Sequence, residues 1–405
     1  MKKQSNTPEI RFQNYEDKWD IEKLINIFGT IRNAFVGTAT PYYVEKGHFY
    51  LESNNVKNGK INYNSQIFIN DEFYEKQRDK WLKTNDIVMV QSGHVGHTAV
   101  IPEELNNTAA HALIVFTDYK KEVNPHFLNY QFQSNGKRKK LDLISTGNTI
   151  KHILASEMKD FKMDFPTFEE QSAIGSLFRT LDDLLSNYKE NLANYQSLKA
   201  TMLAKMFPKA GQTVPEIRLD GFEEEWGKDT LEPYLIESRI SGDTGLTAKK
   251  ITVKLWGKGV IEKEEKYAGS LNTQYFIRKG GQFIYSKLDF QNQAFGIIPN
   301  ELDGYQSTLD LPTFDIQNID SKFLLEYVMR REFYEYQGLI ANGSRKAKRI
   351  HPEDFLVMPV RIPSIEEQQA IGSYFSNLDN LINSQQEKIS QLETLKKKLL
   401  QDMFI

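Results

Sequence analysis

"PTFEEQSAIGSLFRTLDDLLSNYKENLANYQSLKATMLAKMF", residues 166–207, returns without a gap as "PSIEEQQAIGSYFSNLDNLINSQQEKISQLETLKKKLLQDMF", residues 363–404. Roughly four positions in ten are identical, which marks an internal duplication. Each copy reads as a long helix. Thr167 with Glu170, and Ser364 with Glu367, have the S/T-x-x-E spacing of a capping box. Behind the caps a heptad seam runs through Ile174, Leu181, Tyr188, Tyr195 and Met202, and again through Ile371, Leu378, Leu392 and Leu399. Flanking rows, among them Leu177, Leu184 and Leu198, then Phe178, Leu185 and Leu192, widen the stripe. Such a pattern predicts a helix of about 40 residues, ~60 Å long, buried against a second long helix and a further surface. Asn191, Gln385 and Lys388 interrupt the seam in the same turn, where they either set register or open the pair to water.

The duplication also reaches upstream. An arm, "TPEIRFQNYEDKW" at 7–19, recurs as "VPEIRLDGFEEEW" at 214–226. "KMFPKAGQTVPEIRL" leads from the first helix into the second arm, and the second helix ends in "QDMFI". If the helices run antiparallel, each arm starts beside the far end of a helix, and the pattern closes about a pseudo-two-fold axis. The expected organisation is an N-terminal arm (1–19), a first variable domain (20–165), a central long helix (166–207), a linker with the second arm (208–226), a second variable domain (227–362) and a C-terminal long helix (363–405). The fold class is α+β: two globular domains of mixed strands and helices, separated by two long antiparallel coiled-coil helices in a pseudo-two-fold repeat. The variable domains read as unrelated apart from one trace, "VIPEEL" at 100–105 and "IIPNEL" at 297–302. Each trace follows an apolar strand-like run and a glycine, Gly96 or Gly296.

Of 405 residues, 40% are apolar and 26% charged, as in ordinary soluble globular chains. The absence of cysteine excludes disulfides, thiolate zinc sites, iron–sulfur clusters and a cysteine nucleophile, and it fits a reducing cytoplasm. "MKKQSNTPEI" has no apolar run after its lysines, and no stretch approaches the roughly 18 apolar residues of a membrane span. The expectation is therefore a cytoplasmic protein with no membrane partner. The net charge of −3 does not advertise a nucleic-acid binder, although a global total can hide a local basic stripe. Phosphate-loop, Asn-Pro-Pro-aromatic, F-x-G-x-G and G-x-S-x-G motifs are all absent. "EKEEK" at 262–266 holds the E-x-K half of a nuclease site, a tripeptide that charged chains carry freely. His94 and His97, with glycine between them and no nearby carboxylate, read as a loop pair rather than a metal pair. No active site and no metal site are expected.

Two basic runs stand at the same point of each unit, "NGKRKKLDLISTGNTIKH" at 135–152 and "IANGSRKAKRIH" at 340–351. Either is a solvated face or an anion site, and their matched placement favours the anion site. The candidate phosphate contacts are Lys137, Arg138, Lys139, Asn148 and Lys151, then Ser344, Arg345, Lys346, Lys348 and Arg349. Base reading needs polar side chains on loops that enter a groove. "QSGHVGHT" at 91–98 offers Ser92, His94, His97 and Thr98, and "YSKLDFQNQ" at 285–293 offers Lys287 and Asn292.

The "PEIR…W" arm, the "P-[ST]-x-E-E-Q-x-A-I-G-S-x-F…L-D" helix start, the "MF" helix end and the twofold use of the unit resemble the specificity subunit of type I restriction–modification systems. The resemblance covers essentially the whole chain. It implies that 20–165 and 227–362 are target recognition domains, each reading one half of an asymmetric, interrupted double-stranded DNA sequence. It further implies that the helices form the spacer and dock two methyltransferase (modification) subunits, which carry S-adenosylmethionine. Restriction/translocase subunits using ATP and Mg would join them. This chain would itself bind no cofactor and catalyse nothing, within a complex having DNA adenine methyltransferase and ATP-dependent endonuclease activity. The rival reading is a coiled-coil adaptor that joins two partner-binding domains and does not bind DNA.

Overall fold

The computed structural model describes residues 7–147, 151–264, 269–339 and 349–405. They form two compact units, residues 1–189 with 387–405, and residues 190–386.

In the first unit, strands Phe28–Asn33, Leu113–Tyr119, Ile87–Val90 and Thr98–Val100 lie side by side in that order, antiparallel throughout. "IVMV" is buried along its whole length because it is covered on both faces. Ile87 and Met89 join Phe127, Leu128 and Phe132 of the helix Pro125–Gln133 in one core. Val88 and Val90 join Leu51, Val56 and Leu105 in another, which is the period-two alternation of a strand. A second sheet holds Ala109–Ala110, His48–Leu51, Ile67–Ile69 and Tyr43–Val44. Val56–Lys57 and Lys60–Ile61 make a hairpin whose turn, Asn58-Gly59, has φ of 50° and 84°. Positive φ at both central residues is what a two-residue I′ turn requires and what Asn-Gly supplies. The outermost strands, Asp20–Lys23 and Lys162–Phe165, pair antiparallel.

The second unit repeats this framework. Leu235–Glu237, Thr313–Ile316, Phe283–Tyr285 and Phe295–Ile297 stand in the same spatial order, again antiparallel. Phe283 and Tyr285 face one core and Ile284 another. Helices Ser321–Val328, Arg331–Gly338 and Pro352–Leu356 follow just as Pro125–Gln133, Asn135–Ile144 and Ala155–Met158 do, and Gly227–Thr230 closes on Pro359–Ile362. The two traces noted in the sequence end the fourth strand and form a 3-10 turn, whose Leu105 or Leu302 is buried. Domains that read as unrelated therefore share one sheet order. The sheet demands apolar residues at alternate positions and is indifferent to which ones fill them.

The duplicated motifs are explained by one contact made in each unit. Arg11 gives two 2.7 Å hydrogen bonds to the Glu170 carboxylate, which also accepts from Trp19 Nε1 at 3.1 Å. Arg218 grips Glu367 in the same way, at 2.8 and 2.7 Å. The Gln171 side chain spans Pro166 O (2.9 Å) and Asn124 N (3.1 Å), and Gln368 spans Pro363 O (2.9 Å) and Asp320 N (3.0 Å). Asn124 and Asp320 cap the next helix of each domain. A Cβ on Gly175 or Gly372 would stand only 2.7 or 2.6 Å from those cap oxygens, so glycine is needed for this approach. Phe178 then meets Phe404, and Phe375 meets Phe207, at ring separations of 5.8 and 6.1 Å. The "E-E-Q…A-I-G…F" start and the "MF" end are two sides of a single joint. The arms close it: Ile10 N donates to Asp402 O at 2.9 Å, and Ile217 N to Lys205 O at 3.0 Å.

Both long helices, Phe168–Lys205 and Ile365–Asp402, have 38 residues. Their segments run antiparallel in each unit. In the first, Asp182 meets Lys396 and Lys189 meets Glu393, each at 2.6 Å. In the second, Lys199 meets Asp379 at 2.7 Å. Two expectations need correcting. The capping box is half used, since Thr167 and Ser364 accept from Glu170 N and Glu367 N at 3.4 and 3.3 Å while the carboxylates turn to the arms. The seam is also less uniform than its heptads suggest. Ile174, Leu181, Ile371 and Leu378 are buried, whereas Tyr188, Tyr195, Met202, Leu392 and Leu399 are half-buried. Leu184, Leu198, Leu381 and Leu395 are 38–45% exposed. A single partner helix covers one side of the stripe, and the domain covers the other only near the joint. Among the described residues, no helix is long and apolar enough to cross a membrane.

Candidate nucleic-acid interface

The basic run of the first unit is a helix where it begins, Asn135–Ile144, with Ser134 as its N-cap. Helical geometry sends neighbouring lysines in different directions, and this overturns one expected contact. Lys137 is fully buried, its Nζ 2.7 Å from Asp164 Oδ2 and 3.0 Å from Lys162 O. Burial brings its pKa down to about 8, against the pull of Asp164. It pins the helix to the strand Lys162–Phe165 and is out of reach of a phosphate. Arg138 and Lys139, one and two positions on, are exposed. Thr98 is likewise withdrawn: it is the first residue of a strand, fully buried, and donates to Asn129 Oδ1 at 2.7 Å. Lys151 is exposed and paired with Asp142 at 3.0 Å, and Arg349 lies 3.6 Å from Asp310. Asn148, Ser344, Arg345, Lys346 and Lys348 lie outside the described residues.

What remains converges. His97 Nδ1 accepts from Asn58 N, at the hairpin tip, at 3.2 Å. The His97 pKa is lowered first by burial and then by the positive charges of Arg138, His94 and Lys57. Three elements meet here: the hairpin, whose Asn58 reaches His97, the loop 91–97, and the first turn of the basic helix, whose Arg138 lines one cleft with Lys57 and Asn58 and another with Val95 and Gly96. His94 is exposed, its ring 6.3 Å from that of His97 and nearly perpendicular to it. Ser92 bridges to His152 beside them. A cleft of about 490 Å³ opens next to the cluster, lined by Lys57, Lys60, Arg138, Lys189, Lys396 and Lys397 against Asp182 and Glu393. Six cations facing two carboxylates make a local positive field that the total charge conceals, and such a field draws in phosphates. Among the described residues, no group of three or more His, Cys, Asp or Glu is arranged to hold a metal.

The second unit builds the same meeting of hairpin and loop with other chemistry. Trp256 N donates to Asn292 O at 2.8 Å, and Gly257 N to Gln293 O at 3.0 Å. The Asn292 amide turns inward to Asp289 at 3.2 Å, and Lys287 is half-buried. Sequence reading missed Lys57, Asn58, Lys60 and Trp256. "KNGK" was legible as a turn, but nothing local says that this turn lands beside the polar loop.

The family model described as "Type I restriction modification DNA specificity domain" matches residues 11–223. The chain is 20% identical to the type I restriction enzyme MjaVIII specificity subunit of Methanocaldococcus jannaschii, covering 98% of this chain and 95% of that one. It is 23% identical to the Escherichia coli EcoBI specificity subunit over 60% of this chain and 54% of that one. The crystal structure of the type I restriction–modification S subunit from M. genitalium shares the fold, with a TM-score of 0.63 at 14% identity over 98% of this chain and 99% of that one. Since the family model spans more than half of the sequence, this chain belongs to the type I restriction–modification DNA specificity family.

Proposed function

We propose that residues 20–165 and 227–362 each read one half of an interrupted, asymmetric DNA target, and that the antiparallel helices act as the spacer. One observation carries this reading. Both domains present a hairpin tip tied to a polar loop at the same place on the same sheet, yet the side chains there differ throughout. The first offers Asn58, His94, His97 and Arg138; the second offers Trp256 and Lys287. A constant framework with variable groups at one spot suits two readers of different sequences.

The exposed apolar rows of the helices suit docking of two methyltransferase subunits, which would supply S-adenosylmethionine. Restriction/translocase subunits would bring ATP and Mg. In this reading the chain itself is a non-catalytic, cytoplasmic scaffold that binds no cofactor. A salt titration of DNA binding tests it against the adaptor reading. Each phosphate neutralised should contribute a slope of about −0.9 in log affinity against log salt, so contacts by Arg138, Lys139 and the cleft predict a steep fall. A flat response would favour the adaptor.

A further inference from the structure

The two hairpins reverse in different ways. In the first unit the tip is Asn58-Gly59, both with positive φ. In the second, Ile251–Val253 pairs with Val260–Glu262 across a longer connection, 254–259, in which Trp256 and Gly257 have φ of 61° and 64°. This longer turn places a tryptophan, rather than an asparagine or glycine, in the left-handed region. A bulky side chain is poorly tolerated at positive φ, whereas Asn is among the few non-glycine residues that enter it readily. The Trp256 side chain is 58% exposed and makes no ring contact or hydrogen bond among the described residues. Trp19 and Trp226, by contrast, are buried at 2% and 1%. Two main-chain hydrogen bonds hold the strained tip against the loop 286–293, where Leu288 is 44% exposed, with Leu255 at 38% beside Trp256 in the turn. Backbone strain of this kind clusters at ligand-binding and active sites.

We propose that Trp256 is a specificity-determining contact of the second domain, its indole packing against the bases of that domain's half-site as a rigid aromatic wedge. Apolar side chains inserted at a base step read its stacking and flexibility rather than its hydrogen-bond edge. The inference rests on the proposed DNA-reading role and names a residue outside the polar loops.

The test uses the full chain in complex with its partner subunits and a duplex bearing the target that the wild-type complex methylates. Asn enters the left-handed region more readily than tryptophan, so in Trp256→Asn the hairpin should fold at least as well. The expected result is an unchanged or raised melting temperature with about tenfold weaker binding to the target. Binding to random DNA and discrimination against changes in the other half-site should stay unaltered. Trp256→Phe should keep most of the affinity. Cognate DNA should also quench the emission that distinguishes wild type from Trp256→Phe. Wild-type affinity in Trp256→Asn, equal loss on cognate and random DNA, or an unquenched Trp256 signal would each overturn the proposal. Should the wild-type complex ignore changes in either half-site, the DNA-reading role itself would fail, an outcome separate from these.

Discussion

Lys137 and Arg138 are adjacent basic residues for which the structure predicts opposite phenotypes. Lys137 is fully buried, and its ammonium is 2.7 Å from the carboxylate of Asp164, itself buried. In Lys137→Met the methionine fills the space, but Asp164 is left as a buried charge without its cation. Breaking one side of such a pair costs about 3–5 kcal/mol, enough to shift the folded-to-unfolded ratio by more than a hundredfold. Arg138 is exposed and has no ion pair among the described residues, so Arg138→Met should change stability by less than about 0.5 kcal/mol. Its effect should appear on DNA, as weaker binding to all sequences and a salt slope shallower by about one. The lysine also makes a pH prediction. Its folded pKa, about 8, lies below its ordinary 10.5, so between those values the unfolded chain holds a proton that the native state has released. Wild-type stability should therefore gain from this group as pH rises through that window. Lys137→Met should lack that component. Urea unfolding at pH 7 and 9, with DNA binding at two salt concentrations, measures all of this. A stable Lys137→Met that loses DNA binding as Arg138→Met does would refute the assignment.

Two further predictions concern the joint. Arg11→Ala should destabilise the first unit by about 3 kcal/mol through the stranded Glu170, and Arg218→Ala the second through Glu367. Hydrogen exchange resolved along the chain should show each loss confined to its own unit, and a loss spread over both would contradict it. A fragment comprising 1–210 lacks Phe404 and Lys396, but its own first helix carries the counterparts Phe207 and Lys199. Two copies should pair through them, with Lys199 of one reaching Asp182 of the other, and sedimentation should show a dimer rather than a soluble monomer.

How much of this was legible in the sequence depended on whether a residue's role is local or set by distant contacts. The long helices, the arms and their twofold use were legible because duplication exposes them and heptads have a period. The partners of the motif residues were not. Glu170 is placed correctly for a capping box, and only the return of the arm across 159 residues reveals that Arg11 claims its carboxylate. The common framework of the variable domains was hidden because alternation survives while residue identities do not. The basic run was found, but its lysines could not be sorted without the helix that buries Lys137 and exposes Arg138. Thr98 looked like part of a polar loop because a strand boundary carries no sign of its own. The hairpin tips were missed as a site because a turn signal says how the chain reverses, never what it reverses beside.

The central claim, two independent readers on one scaffold, is tested most directly by exchange. Residues 20–165 are replaced by the corresponding domain of another family member, and the methylated sequence of a host carrying the assembled system is determined by sequencing. The account predicts a target in which one half changes and the other half and the gap remain. A target altered in both halves at once, or one unaltered in either, would contradict it.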